Sequence, residues 1–421
     1  MKLLKVDTIA EVQQKLQEYF GTMVREEETV DLRNACGRYL AEDVTADVDT
    51  PSFRRSVVDG YALRGADTFG ISDSIPVFLA VVGTVEMGEP TSIFVGSGQA
   101  VYVPTGGMIP DGADTVIMVE HVDQLGETEI SVNRPSPPNA NIMNIGDDFK
   151  KGQKFFSRGH RVGTKDIGLL AACGKASVSV FRKPKLSILS TGDELVDPSV
   201  FPGPCQIRDI NAYAVAAFAE SAGAEILSLS VVRDEPDAYQ AAVESALKDS
   251  DLVILSGGSS AGTKDFTASI IDSLGSPGVI THGLAIKPGK PTIIGIISGE
   301  KRNKAVIGLP GHPLSSIIVF DVVVNGFLKK YFLGNEERPQ TIPAILAENI
   351  HSGEGRETYQ LVNLEASEPD KATGRPGWTA RPIRAKSGAI SQLALADGYV
   401  VIPQGTEGVS AGQLVQVVPI Q

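Results

Sequence analysis

Three loops in the second half of the chain carry residue types suited to anion or cation chemistry. Ser190-Thr191-Gly192-Asp193-Glu194-Leu195 places two acids directly after the apolar run KLSILS. Such a pair beside a glycine suits a divalent cation or a ligand hydroxyl. It equally suits a helix start, with Asp193 as N-cap and Glu194 favoured by the helix dipole. The second loop runs from Ser256-Gly257-Gly258-Ser259 to Asp265. Successive Gly and Ser residues before a helix can aim backbone N–H groups at phosphate oxygens. Gly257 and Gly262 have the separation of a Walker A loop, but Lys264 falls one place late and Asp265 stands where Ser or Thr is required, which argues against a general nucleotide hydrolase. Asp265 reads instead as an N-cap or as a metal or ligand contact, and a flexible Gly-Ser loop is the plain alternative. The third loop, Gly308-Leu309-Pro310-Gly311-His312-Pro313-Leu314-Ser315, leads into the apolar stretch SIIVFDVVV. Pro313 fits the first helical position, where its missing N–H costs nothing, and Ser315 with the free amides of that turn is expected to face the site.

Two lysines and two further loops extend this set. Lys287-Pro288-Gly289-Lys290-Pro291 holds a lysine before each proline. Stiffening the loop lowers the entropy lost when the ammonium groups clamp an anion; a solvated turn is the plain reading. Arg54-Arg55-Ser56-Val57-Val58-Asp59-Gly60-Tyr61-Ala62 combines cations, a hydroxyl and a carboxylate next to a glycine, and Val103-Pro104-Thr105-Gly106-Gly107 adds another hydroxyl. Either stretch also reads as a turn.

The elements that must position these loops fall into four stretches. Residues 1–46 read as helical, with Ala10, Val12, Leu16 and Phe20 near helical spacing and a second helix expected around Val30–Leu40. Residues 47–150 alternate short β-type runs with Gly and Pro and read as a small β module. Residues 151–183 read as a return to the first stretch, making residues 1–46 and 151–183 a discontinuous domain I around domain II. Residues 184–333 alternate strands (KLSILS, AEILSLSVV, DLVILS, PTIIGII, KAVIGL) with helices at 209–222, 236–249, 265–274 and 313–330. That alternation predicts a mostly parallel sheet covered on both faces. Residues 334–421 return to short strands and form a C-terminal β domain. The expected fold class is therefore α/β plus β in a multidomain chain. Ligands of open α/β sheets sit at the carboxyl ends of the strands, so the loops after KLSILS, DLVILS and KAVIGL should form the site.

Composition narrows the function classes. The 421 residues exceed one compact domain, and 42% hydrophobic with 21% charged residues is ordinary for a globular protein. A net charge of −13 speaks against nucleic acid or an anionic membrane as partner. Cys36, Cys173 and Cys205 are odd in number and widely spaced, which fits a reducing compartment rather than a disulfide framework. The histidines show no zinc-site spacing. The amphipathic start lacks the apolar block of a signal peptide, and no long apolar run occurs, so the expectation is a cytoplasmic protein.

Taken together, SVVDGYA, PTGGMIPDGADTVIMVE, NIGDDFKKGQ, LSTGDEL, QIRDINAY, GGSSAGTKDF, AIKPGKP and GLPGHP resemble, in order and over essentially the whole chain, the MoeA family, which includes the E domain of gephyrin. The resemblance implies a molybdopterin molybdenumtransferase: an elongated homodimer that inserts molybdate into adenylylated molybdopterin with Mg²⁺-dependent release of AMP. It implies a central domain similar to the smaller MogA/MoaB pterin-adenylylating proteins, an inserted β domain and a C-terminal β-barrel-like domain, with an upstream pterin adenylyltransferase as a further partner. By motif, Asp59, Glu194 and Asp265 are the implied catalytic and metal-binding acids. Asp59 and Thr105 would come from the partner subunit. Asp148, Asp234, Gly257, Gly258, Ser259, Pro310, Gly311 and Ser315 would bind substrate, while Lys287, Lys290, Arg356 and Ser387 would hold phosphate or molybdate. Arg54-Arg55 depart from the acid and polar residue of many relatives, a point at which metal or substrate selectivity is open. A tungstate-inserting paralogue, a pterin adenylyltransferase and a non-catalytic scaffold of the gephyrin type are the other readings.

Overall fold

The computed structural model describes residues 6–257, 261–299, 301–337, 339–353, 355–368, 377–384, 386 and 388–420. Its central body is a six-stranded sheet built from β1 (Lys185–Thr191), β2 (Glu225–Val232), β3 (Leu252–Gly257), β4 (Pro277–His282), β5 (Ile293–Ile297) and β6 (Lys304–Leu309). The strand order is β2-β1-β3-β6-β5-β4, and β5 alone runs against the others. Helices α1 (Asn211–Ser221) and α4 (Pro313–Val319) cover one face, and α2 (Pro236–Asp249) and α3 (Ala261–Ser273) cover the other.

Successive β3 residues divide between these faces. Leu252 and Ile254 pack with Val215 of α1 and Ile317 of α4, whereas Val253 and Leu255 pack with Val243 of α2 and Ile271 of α3. A strand buried on both sides has to be apolar throughout, which is why these runs lack alternation. The expected long helix over 313–330 turns from α into wider π-type turns at Phe320–Asn325 and again at Leu328–Phe332.

The N-terminal helix Ile9–Phe20 is closed by a capping box: Thr8 Oγ1 accepts from the Glu11 N–H (3.2 Å) and Glu11 Oε2 accepts from the Thr8 N–H (2.8 Å). Its buried face, Val12, Leu16 and Phe20, packs into the core of the α/β body, with Phe20 edge-on to Phe327 at 4.8 Å. Burying side chains of this size contributes about 1.5–3 kcal/mol each, enough to dock the helix onto this body.

The helix expected around Val30–Leu40 is not present. Glu27–Asp31 is a strand that pairs antiparallel with Ser177–Phe181, placing Val30 opposite Val178, and it ends in a short 3₁₀ turn at Leu32–Asn34. The apolar residues that imitated helical spacing line a small separate core with Val44, Val162, Leu170 and Val180. Pairing with a segment 150 residues away overrode the local pattern, a choice that the β-branched Thr29 and Val30 favour. A second pairing, Val44–Thr45 with Lys154–Phe156, joins the same two parts of the chain.

Between them lies a β module whose six-stranded sheet contains Gly60–Leu63 flanked by Gln99–Val103 and Thr115–Met118. After the α/β body, five strands (Ile342–Leu346, Glu357–Ser367, Gly377–Pro382, Gly398–Ile402 and Leu414–Pro419) close into a barrel by the pairing of Glu357–Ser367 with Gly398–Ile402. The accessible surface is 21801 Å², against roughly 15,600 Å² for a compact monomer of this mass. Modules standing out from a central body account for the excess. Among the described residues no helix is long and apolar enough to cross a membrane.

Candidate functional site

A cavity of ≈ 920 Å³ opens at the carboxyl ends of β1, β3 and β6. Thr191 and Gly192 close β1 beneath it, Ser256 and Gly257 end β3, and Gly311, His312 and Pro313 follow β6. These are the three loops singled out by residue type. Pro313 occupies the first position of α4, after His312 as N-cap. Gly257 has φ +114°, and a Cβ there would lie 2.3 Å from the Thr191 carbonyl oxygen, so only glycine lets the two loops approach this closely.

Glu194 and Asp234 line one side of the cavity. Burial, and then the carboxylates of Asp193 and Glu194, push the Asp234 carboxyl above its ordinary value. Three acids therefore face a common region without a cation between them. Among the described residues no set of three His, Cys, Asp or Glu side chains is close enough to hold a metal outright. By contrast, the buried Asp251 at the opposite end of β3 is satisfied by Arg182 (3.0 Å), Arg302 (2.5 Å) and the Lys185 N–H (2.8 Å), a structural use of charge.

Lys287 reaches the same edge from the far side. It follows β4 and pairs, as the strand Ile286–Lys287, in parallel with Glu357–Thr358 of the C-terminal barrel. Its side chain runs against Gly353, two residues beyond His351 on the barrel loop that leads to Arg356. Four strand spacings, about 19 Å, separate the ends of β1 and β4. The acids and the Lys287–Arg356 side thus lie at two ends of one long edge, and Gly388 of the barrel domain also lines the cavity. Lys290 is exposed, and its carbonyl accepts from Leu284 (2.9 Å) and Thr292 (2.9 Å).

In the inserted β module the SVVDGYA and PTGG segments meet. The Thr105 N–H and hydroxyl donate to Asp59 Oδ1 at 2.7 and 3.0 Å. The N–H and then the hydroxyl hold the Asp59 carboxyl below the usual carboxylate range, although the group is exposed. Gly60 permits this geometry, since a Cβ there would sit 2.1 Å from the Ile117 carbonyl oxygen of the neighbouring strand. Asp148 is exposed, with its N–H on the Thr50 carbonyl (3.0 Å). Asp59, Thr105 and Asp148 do not line the cavity of their own chain. Arg54 donates to the Ala113 carbonyl (3.2 Å), and Arg55 approaches Met143 Sδ (3.5 Å).

Pro310 and Ser315 are buried and do not line the cavity, so the expectation that Ser315 faces the site gives way to His312 and Pro313, one turn earlier. Gly258, Ser259, Ser387 and the side chain of Asp265 lie outside the described residues. Reading residue types alone gave no role to Asn211 or Asp209, both of which line the cavity. The Asn211 Nδ2 joins two loops by donating to Ser256 Oγ (3.1 Å) and the Gly311 carbonyl (2.9 Å). The available signal was an acid–amide pair in QIRDINAY, directly before a helix.

A smaller cavity of ≈ 470 Å³ lies between the N-terminal helix and β4. There Lys15 is engaged by Asp7 (2.6 Å) and the Ile280 carbonyl (2.6 Å).

Comparison with known proteins covers the chain in three consecutive matches. Residues 7–174 match the MoeA N-terminal region (domain I and II), residues 187–330 a probable molybdopterin binding domain, and residues 343–420 the MoeA C-terminal region (domain IV). The molybdopterin molybdenumtransferase of Bacillus subtilis is 33% identical over 413 residues, spanning 94% of this chain and 90% of that protein. The enzyme of the same name from Haemophilus influenzae is 33% identical over 398 residues, 93% of each chain. The crystal structure of a molybdopterin biosynthesis MoeA protein from Pyrococcus horikosii superposes with a TM-score of 0.80 at 38% identity, covering 99% of both chains.

Proposed function

This chain belongs to the MoeA family, and from that premise we propose that it acts as a molybdopterin molybdenumtransferase, inserting molybdate into adenylylated molybdopterin as AMP leaves. The observation that carries this reading is the shared edge of the α/β sheet. Acids stand at the β1 end, lysine and arginine of two domains stand at the β4 end, and a cavity opens on Gly-rich loops at the strand ends. An extended ligand with a phosphoanhydride and a separate oxyanion-accepting end fits that spread better than a single ion does.

The donor set suits Mg²⁺. This ion is bound typically by one or two carboxylates together with substrate phosphate oxygens. Glu194 and Asp234 supply carboxylates whose mutual repulsion already lifts Asp234, and Asp265 joins them by family motif. Bound there, the ion would neutralise charge on the phosphoanhydride. The protein's own groups then do the positioning. Backbone amides of the Gly257, Gly258 and Ser259 loop and the Pro310-Gly311 turn cradle phosphate, with Ser315 supporting that turn from the first turn of α4. Lys287, Lys290, Arg356 and Ser387 hold molybdate by charge-assisted contacts.

Asp59, Thr105 and Asp148 are supplied by a second copy of the chain. They sit on a module away from the cavity, and the paired, ionised Asp59 is exposed and ready to face another subunit. The working unit is accordingly a homodimer, fed by an upstream pterin adenylyltransferase. Its setting is the cytoplasm, where the free cysteines Cys36, Cys173 and Cys205 stay reduced.

The test is AMP release from adenylylated molybdopterin by the purified protein. Release should need both molybdate and Mg²⁺, stop on chelation and resume when Mg²⁺ is restored. Absence of AMP under all these conditions would remove the proposal.

A further inference from the structure

Asn211 is 8% exposed, and the two protons of its Nδ2 are both used, one by the Gly311 carbonyl and one by Ser256 Oγ. A carbonyl oxygen can only accept, so the amide cannot be turned over without setting Oδ1 against the Gly311 oxygen. The orientation is therefore fixed, and Oδ1 is left with no partner in the protein. A buried acceptor without a donor is costly, so such atoms ordinarily meet a ligand or water. Asn211 lines the cavity.

Asp209, two residues earlier, is 4% exposed and lines the same cavity. Its Oδ1 accepts from the Ala212 N–H at 3.1 Å, which ties the carboxylate to the first turn of α1. One carboxylate and one amide oxygen thus stand on one wall beside a loop set built for anions. Acceptors in that place would repel phosphate or molybdate. They suit a ligand edge carrying adjacent N–H donors.

We infer that Asp209 and Asn211 form an acceptor pair that reads the donor edge of the pterin ring. This inference rests on the proposed function. The 2-amino group and N3–H of a pterin are neighbouring donors and can satisfy two neighbouring acceptors. Adenine offers a 6-amino donor beside the N1 acceptor, which would set a lone pair against the second oxygen. The pair therefore selects the pterin rather than the adenylyl end of the substrate, and it fixes which end of the ligand lies over α1.

The experiment measures binding to the full-length protein by calorimetry with matched probes. One pair is a pterin monophosphate and the corresponding lumazine monophosphate, in which oxygen replaces the 2-amino group. The other pair is AMP and purine riboside 5′-monophosphate, which lacks the 6-amino group. Wild-type protein should prefer pterin to lumazine by about tenfold or more, the usual effect of losing one buried hydrogen bond. Asn211→Ala should remove most of that preference. Asp209→Asn keeps an oxygen for the Ala212 N–H but turns a donor toward the ligand, and it should do the same, so the test survives if one variant folds poorly. Preference between the two purine probes should be unchanged. Equal weakening of all probes would mean that Asn211 only ties loops together and would overturn the inference, as would loss of discrimination in the AMP pair instead. Wild-type protein that binds neither pterin nor AMP would remove the proposed function as well. Wild-type binding with unaltered pterin preference in both variants would remove the acceptor pair alone.

Discussion

Replacing Gly257 by alanine should damage the site more than the size of one methyl suggests. Gly257 has φ +114°, outside the regions open to L-residues, and its added Cβ would lie 2.3 Å from the Thr191 carbonyl oxygen and 2.8 Å from Thr191 Oγ1. Adopting that backbone costs about 1–3 kcal/mol before the clash is counted. The clash adds to this, because the atoms it meets include strand backbone paired in register, Thr191 opposite Gly257. For a domain of this size about 2–4 °C of melting temperature is lost per kcal/mol, so the α/β body should melt about 2–12 °C lower. The loops lining the cavity should also separate, and AMP affinity should fall with the melting point. Gly326→Ala is the control, since a Cβ there meets nothing within 4 Å and the backbone is helical; it should be neutral or slightly stabilising. The assay is calorimetric melting and AMP titration of both variants. A Gly257→Ala protein that melts and binds like wild type would refute the claim that the β1 and β3 loops need close backbone approach.

Asp59→Ala should lose metal insertion with its circular dichroism unchanged, because the carboxylate is exposed and bonded only to Thr105. Co-expression with Glu194→Ala subunits should restore part of the activity, since one site of a mixed dimer then carries neither lesion; mixed dimers with no activity would confine the site to one subunit. Lys287→Ala should raise the molybdate concentration for half-maximal AMP release about ten- to a hundredfold, as expected for losing one charge-assisted contact. Extra molybdate should rescue that variant but not Glu194→Ala, and an unchanged molybdate midpoint would move the oxyanion site elsewhere. Asp234 titrates above its ordinary value, so the folded state holds its proton more tightly than the unfolded chain does, and stability falls as pH rises through that window. Asp234→Asn should therefore melt higher than wild type near neutral pH and gain less on mild acidification, and Mg²⁺ binding to wild type should release protons; a lower melting point at neutral pH would contradict the repulsion with Asp193 and Glu194.

The legible parts of the fold were those governed by local pattern. Strands buried on both faces read as unbroken apolar runs, and the Val12, Leu16 and Phe20 spacing read as a helix face. Parallel topology then placed the site at the strand ends, where the ≈ 920 Å³ cavity lies. Long-range pairing was not legible: Glu27–Asp31 becomes a strand only because Ser177–Phe181 lies beside it. Within the site, Asp193, Glu194 and the Gly257 loop announced themselves by type. Asn211 did not, because an asparagine near a helix start ordinarily reads as a cap, and its role depends on a carbonyl one hundred residues later in the chain. Ser315 was misplaced by one turn, since sequence gives the helix start but not which side of its first turn faces the cavity.

The most direct test of the central claim is the ratio of molybdenum entering the pterin to AMP released in a single turnover, measured on purified full-length protein with adenylylated molybdopterin, molybdate and Mg²⁺. One molybdenum bound to the pterin product for each AMP, with both lost in Asp59→Ala, is the expected result. AMP released without molybdenum in the product would show a phosphoanhydride hydrolase and contradict the account.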